Sequence, residues 1–152
     1  EKSTKRVLGK NIWEKHFEAD SLFPRIECIN KNKTQGLRLF FHYGGTKNAV
    51  AEFQLFSINN KYVIPRKAVV VKATKFKSGN NIILGLSKKK VVAILGKGFE
   101  VISNNNHKEE IRYYTDDPEA KMLKRYGGVA YFIKCIFKND KLVQYNFGFE
   151  YP

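Results

Sequence analysis

Two runs near the C-terminal end constrain this chain most: Tyr131 to Phe137 and Leu142 to Phe149, both alternating and joined through Asn139-Asp140. Asn and Asp tolerate positive φ, so the connector closes a tight turn and predicts an antiparallel hairpin. Strand signals recur upstream. Arg25 to Asn30 reads as a short strand after the Phe23-Pro24 break. Leu37, Leu39, Phe41 and Tyr43 alternate strictly, which turns one face of their strand to a core. The loop Gly44 to Asn48 reads as a hairpin connection into Ala49 to Ile58, with Ala51, Phe53 and Leu55 on one face. After the Asn59-Asn60 turn, Tyr62 to Ile64 and Lys67 to Phe76 read as strands interrupted by Pro65. Proline cannot donate to a ladder, so that break predicts a sheet edge or a bend between sheets.

A second block follows Ser78 to Asn81. Ser87 is a good N-cap for a short helix over Lys88 to Leu95; Val91, Val92 and Leu95 share a face, and Gly96 and Gly98 end it. Ser103 to Lys108 reads as a polar loop and Ile111 to Thr115 as a strand. Asp116-Asp117-Pro118 opens a turn, and Glu119 to Arg125 reads as one helical turn or a loop. The first block has a parallel in Leu8-Gly9-Lys10-Asn11, where Asn11 would cap a helix over Ile12 to Phe17. The expected fold is therefore α+β: an antiparallel sheet with short helices packed on one face. It forms a single domain over residues 1–152, either undivided or built of two helix-plus-three-strand repeats, 1–76 and 77–152. Buried positions should include Leu39, Val91, Leu95, Ile133, Phe137 and Phe147.

Lys and Arg number 28 against 14 Asp and Glu, a net charge of +14, which favours anionic partners without choosing among them. An AT-rich coding bias also enriches Lys, Asn, Ile and Phe. No apolar run reaches the length of a membrane span. The chain begins at Glu1 without a methionine, which points to removal of an upstream segment, either a signal peptide or a stretch cut away at an artificial boundary. Cys28 and Cys135 both lie in apolar alternating segments and are expected buried and reduced; one bridge is the alternative.

Ile82, Leu84, Gly85, Ser87 and Val91 leading to Leu95-Gly96, the Tyr113-Tyr114 strand and the terminal hairpin with Phe137 to Val143 form a pattern. Over about Ile82 to Phe149 it resembles the group of the β-lactamase inhibitor protein and the small outer-membrane assembly lipoproteins (SmpA/OmlA, or BamE-like). With a degenerate first copy, the tandem resembles the inhibitor protein's two-repeat layout. The resemblance implies an exported binding module, periplasmic, outer-membrane-associated or secreted, that contacts proteins through its sheet face and loops. It transfers no catalytic residue. The family's first helical turn usually carries an acid, whereas this chain has Lys88, Lys89 and Lys90; residues 1–152 hold no lipobox cysteine, which leaves lipidation unread.

His16, His42 and His107 are scattered without metal-ligand spacing, and Asp116, Asp117 and Glu119 read as a solvated turn. No nucleophile elbow, Walker loop or dinucleotide fingerprint occurs. No catalytic residue, metal or cofactor is expected. The one candidate site is Ser87, Lys88, Lys89 and Lys90. A helix N-terminus carries partial positive charge, so lysines there oppose the dipole unless an anion or acidic partner sits among them. The expected function is a non-enzymatic binding module of the bacterial cell envelope, contacting a protein partner or an anionic surface through its sheet face and basic loops. The alternatives are a nucleic-acid-binding domain using basic residues with exposed Tyr113, Tyr114 and Tyr131, which is less expected, and a hydrolase-type enzyme with an unrecognised site.

Overall fold

The computed structural model describes residues 24–42, 50–105 and 107–150. They form one eight-stranded mixed sheet with two short helices. The strands are β1 (Arg25–Ile29), β2 (Gln35–Phe41), β3 (Val50–Ser57), β4 (Val69–Val70), β5 (Glu100–Asn105), β6 (Lys108–Thr115), β7 (Ala130–Lys138) and β8 (Lys141–Glu150). Helix α1 is Lys88–Leu95 and α2 is Lys121–Tyr126. Across the sheet the order is β4-β1-β2-β3-β8-β7-β6-β5. All neighbours are antiparallel except β4, which runs parallel to β1.

The local signals account for several elements. Asn139 and Asp140 take φ of 49° and 57°, the left-handed pair that a two-residue hairpin turn requires. The Ser87 hydroxyl accepts from the Lys90 N–H at 3.4 Å, and Gly96 closes α1 at φ 94° with its N–H on the Val92 carbonyl. The parity of β2 carries across the sheet. Cys28, Leu37, Leu55, Tyr145, Cys135 and Ile111 lie opposite one another in turn and form one apolar row. Val91 of α1 joins Leu55, Ile82, Ile111, Cys135, Phe137 and Leu142 in the larger core cluster. Ile26, Cys28, Leu39 and Phe41 make a second cluster toward β1.

Four expectations are corrected. The sheet is mixed, because the chain leaves β3, crosses the sheet and returns alongside β1 as β4. Tyr62 to Ile64 forms no strand, and the expected strand over Lys67 to Phe76 contracts to Val69–Val70; β4 is an edge, as Pro65 suggested. The polar stretch Ser103 to Lys108 is not a plain loop, since it supplies the end of β5 and the start of β6. Leu39, Val91 and Phe137 are buried, but Leu95, Ile133 and Phe147 are only half-buried. A single eight-residue helix is too short to cover every row of so wide a sheet. The first-block helix over Ile12 to Phe17, with its Asn11 cap and His16, lies outside the described residues, as does the loop Gly44 to Asn48 with Tyr43.

Cys28 and Cys135 are free and buried, and burial pushes both thiols up to about 12, with the Glu27 charge adding to it at Cys28. They sit on β1 and β7, with β2, β3 and β8 between them. Four interstrand spacings amount to about 19 Å, far beyond the roughly 7 Å that a disulfide spans. Thiol titration should therefore find no reactive group in the native protein and two in denaturant. One thiol or none in denaturant would contradict this arrangement.

Candidate functional site

One end of the sheet gathers the β1–β2, β5–β6 and β7–β8 turns together with the end of β3. The registers require it: Gln35 pairs with Ser57, Lys108 with Lys138 and Asn105 with Lys108. Loop contacts tie these turns together. The Asn139 N–H donates to the His107 carbonyl at 3.1 Å, and the Lys31 N–H donates to the Ala73 carbonyl at 2.9 Å.

The N-terminus of α1 reaches the same end. Ser87 forms an isolated bridge with Lys141, and the Lys88 N–H donates to Asp140 Oδ1 at 3.1 Å. A carboxylate from the β7–β8 turn thus sits where the helix dipole favours negative charge, although the sequence places no acid in the first turn. The lysine run divides. Lys88 folds back, its Nζ 2.5 Å from Glu109 Oε1 and 5.2 Å from the Phe99 ring centroid. Lys89 and Lys90 remain exposed. Replacing Lys88 should therefore lower stability slightly, by about 0.5–1 kcal/mol for a half-exposed ion pair, whereas Lys89→Gln and Lys90→Gln should not; thermal melts of the three variants decide it.

A second set of lysines at this end was not singled out from the sequence. Lys108 lies directly opposite Lys138, and Lys138 directly opposite Lys141. All three are exposed, and none forms an ion pair among the described residues. Directly opposed side chains have Cβ atoms about 5 Å apart, and like charges there are destabilising. Beside Lys138, Lys61 and the Asn59-Asn60 turn line a depression of about 540 Å³. The Lys31 N–H bond to the Ala73 carbonyl brings the segment that carries Lys72 and Lys75 to the β1–β2 turn, which itself carries the exposed Lys31 and Lys33, and these lysines extend the positive rim toward β1. The signal was present only as lysines flanking a turn, because register alone makes them neighbours.

No protein-family model, curated protein or solved structure matches this chain. Its chemistry must be read from its own residues.

On the face opposite the apolar row, the same registers align Glu27, Arg38, Gln54, Asn146, Lys134 and Arg112. Arg38 donates to Glu27 Oε2 at 2.7 Å, to Gln54 Oε1 at 2.9 Å and to the Tyr62 hydroxyl at 2.8 Å, and its guanidinium lies 4.2 Å from the Phe56 ring centroid. The Tyr62 hydroxyl also donates to Glu27 Oε1. Gly36 pairs with Phe56, whose ring fills the space where a Cβ would stand, so the ring packs flat under Arg38. Farther along, Lys134 pairs with Glu110 at 2.9 Å and Arg112 with Glu150 at 2.7 Å around a shallow groove of about 320 Å³. Burial raises the Glu52 carboxyl above its ordinary range, while the Asn146 amide, 2.5 Å away, and Lys134 oppose the rise.

Among the described residues no group of three or more His, Cys, Asp or Glu could hold a metal, and no helix is long and apolar enough to cross a membrane. His42 ends up beside β2 and His107 in the β5–β6 turn. On the polar face the cations are matched by acids, whereas at the hairpin end Lys108, Lys138 and Lys141 form no ion pair among the described residues. The hairpin end is the stronger candidate for recognition.

Proposed function

We propose that this protein is a non-enzymatic binding module of the bacterial cell envelope, taking an anionic surface or acidic protein partner at the hairpin end of its sheet. The observation that supports the reading most is the row Lys108, Lys138 and Lys141. Like charges opposed across adjacent strands cost stability in the free protein, and an anion lying across them removes that cost on binding. Lys89 and Lys90 border the same end and extend its field. Placement in the envelope, whether periplasmic, secreted or lipid-anchored, rests on the likeness to the inhibitor protein and assembly lipoproteins. The two-repeat layout, 1–76 and 77–152, rests on that likeness too; the pairing of β3 with β8 joins the two halves into one sheet.

A nucleic-acid reading would need tyrosines free to stack. Tyr113 donates its hydroxyl to the Gly96 carbonyl at 2.7 Å, Tyr114 faces the Arg112 guanidinium at 4.4 Å, and Tyr131 packs on Phe149 at 5.2 Å between centroids. Tyr113 and Tyr131 are engaged within the fold, while Tyr114, 41% exposed, lies against Arg112.

The test separates binding from folding. Lys138→Gln with Lys141→Gln should leave stability unchanged or raise it by a few tenths of a kcal/mol, because opposed charges are relieved. The same variant should lower affinity for an anionic bilayer or an acidic envelope partner by about tenfold at low salt. Wild-type affinity should fall as salt screens exposed charge beyond about 10 Å at 0.1 M. Unchanged affinity of the variant across a salt series would remove the hairpin end as the binding surface.

A further inference from the structure

We propose that residues 59–68 form a strap over the polar face that opens as a unit, apart from the rest of the sheet, and is held shut by the Tyr62 side chain. The strap stands without the anion-binding reading of the hairpin end; its coupling to that end rests on it. The segment joins β3 to β4, passing over β2 and β1, without entering a ladder. Its two ends are tied down. The Ile58 N–H donates to the Thr34 carbonyl at 2.9 Å, and beyond the strap Val69 pairs with Cys28. Between these ties, backbone bonds close local turns: the Tyr62 N–H donates to the Asn59 carbonyl and the Ala68 N–H to the Pro65 carbonyl, both at 3.0 Å. No residue of 59–68 is buried, and none belongs to either core cluster. Val63 is 85% exposed. Segments with few buried apolar contacts and exposed backbone bonds open at free energies well below that of global unfolding.

Tyr62 is the latch. Its hydroxyl donates to Glu27 Oε1 and accepts from the Arg38 guanidinium at 2.8 Å, and its ring lies 5.3 Å from the Phe56 centroid. Glu27 is 4% exposed, so this contact reaches through the polar face to a buried carboxylate. Hydrogen bonds with a charged partner are about twice as strong as neutral ones. Within 59–66, Tyr62 is the residue whose side chain hydrogen-bonds to the sheet; Asn59 Oδ1 turns back to the Lys61 N–H instead.

Closure also completes the depression at the hairpin end. Asn59, Asn60 and Lys61 come from the first turn of the strap and Lys138 from β7, and together they line about 540 Å³. Lys61 directly precedes Tyr62, so the latch holds that turn beside β7. Opening takes three of the four lining residues away from the fourth. An anion spanning Lys61 and Lys138 therefore binds the closed strap better than the open one, and its binding shifts the strap toward closure.

Residue-resolved amide hydrogen exchange of the full chain in low urea tests it. In the wild type, the amides of Tyr62 and Ala68 should exchange faster than those of the β7–β8 ladder. Their rates should also depend far less on urea, because a local opening exposes little surface. Tyr62→Phe keeps the ring and removes the hydroxyl, and it should speed Ala68 exchange by about tenfold, the scale of one hydrogen bond to a charged group. Strap amides that share the rate and urea slope of the β7–β8 ladder overturn the strap. Unchanged Ala68 exchange in Tyr62→Phe overturns the latch. Tripolyphosphate at about ten times its dissociation constant should slow wild-type strap exchange by up to about tenfold. Bound tripolyphosphate that leaves strap exchange unchanged overturns the coupling. Tripolyphosphate that fails to bind, or binds Lys138→Gln with Lys141→Gln as tightly as the wild type, overturns the hairpin-end reading and the coupling with it. Exchange without ligand then still decides the strap.

Discussion

Replacing Arg38 by methionine is expected to lower stability by about 3 kcal/mol, the scale for leaving a buried charge without its partner. Glu27 is 4% exposed, and Arg38 supplies its ion pair at 2.7 Å while bridging Gln54 and Tyr62. Without the guanidinium, the carboxylate keeps the Tyr62 hydroxyl as a donor but loses its counter-charge. Phe56 loses the cation stacked on it as well. The double variant Glu27→Leu with Arg38→Met should regain much of the loss, because apolar replacement of both members removes the uncompensated charge. Urea melts of the two singles and the double form the cycle. Additive losses in the double variant would show that the pair does not act as a unit.

Stability should also fall steeply in alkali, and two thiols should account for most of the slope. Cys28 and Cys135 are held at about 12 by burial, against an ordinary thiol near 8.5. Between those values the unfolded chain has released both protons while the native protein keeps them. The unfolded state therefore binds fewer protons, and the unfolding free energy declines as pH rises. The contribution is intact below about pH 8.5 and is lost by about 1.4 kcal/mol per pH unit per thiol above it. At pH 10 the two together should have cost about 4 kcal/mol relative to neutral pH. Burial raises the Tyr113 and Tyr145 hydroxyls too, so the decline continues in the same direction above their ordinary range. Urea midpoints from pH 7 to 10 measure the slope. Cys28→Ala with Cys135→Ala should lower stability at neutral pH but flatten the pH dependence, and an unaltered slope would assign it to other groups.

Signals carried within a few residues were legible. Ser87 and Gly96 bound α1 because a hydroxyl and a Cβ-free residue satisfy helix ends locally. The β7–β8 hairpin was legible because Asn139 and Asp140 accept positive φ without help from elsewhere. β5 was missed for the opposite reason. An edge strand exposed throughout needs no apolar alternation, so Glu100 to Asn105 carries little pattern to detect. The strands expected around Pro65 contracted because Tyr62 is drawn across the polar face to Glu27 and Arg38 instead of into a ladder.

The candidate site divides along the same line. Ser87 and the lysines after it stood out because they conflict with a helix dipole that the sequence alone predicts. What answers Lys88 is supplied by Asp140 and Glu109, 52 and 21 residues away along the chain, and only the tertiary structure brings them there. The Lys108–Lys138–Lys141 row exists only once β6, β7 and β8 are in register. By itself the sequence determined the Asn139-Asp140 turn, where α1 begins and ends, and which side chains of β2, β7 and β8 share a face, since those follow from φ preference and a period of two. The tertiary structure alone decided that β3 pairs with β8, that β4 returns parallel to β1, and that lysines far apart in the chain become neighbours. Pairing between distant strands depends on how whole faces fit together and on the closure of long loops, and neither is written in any short stretch of residues.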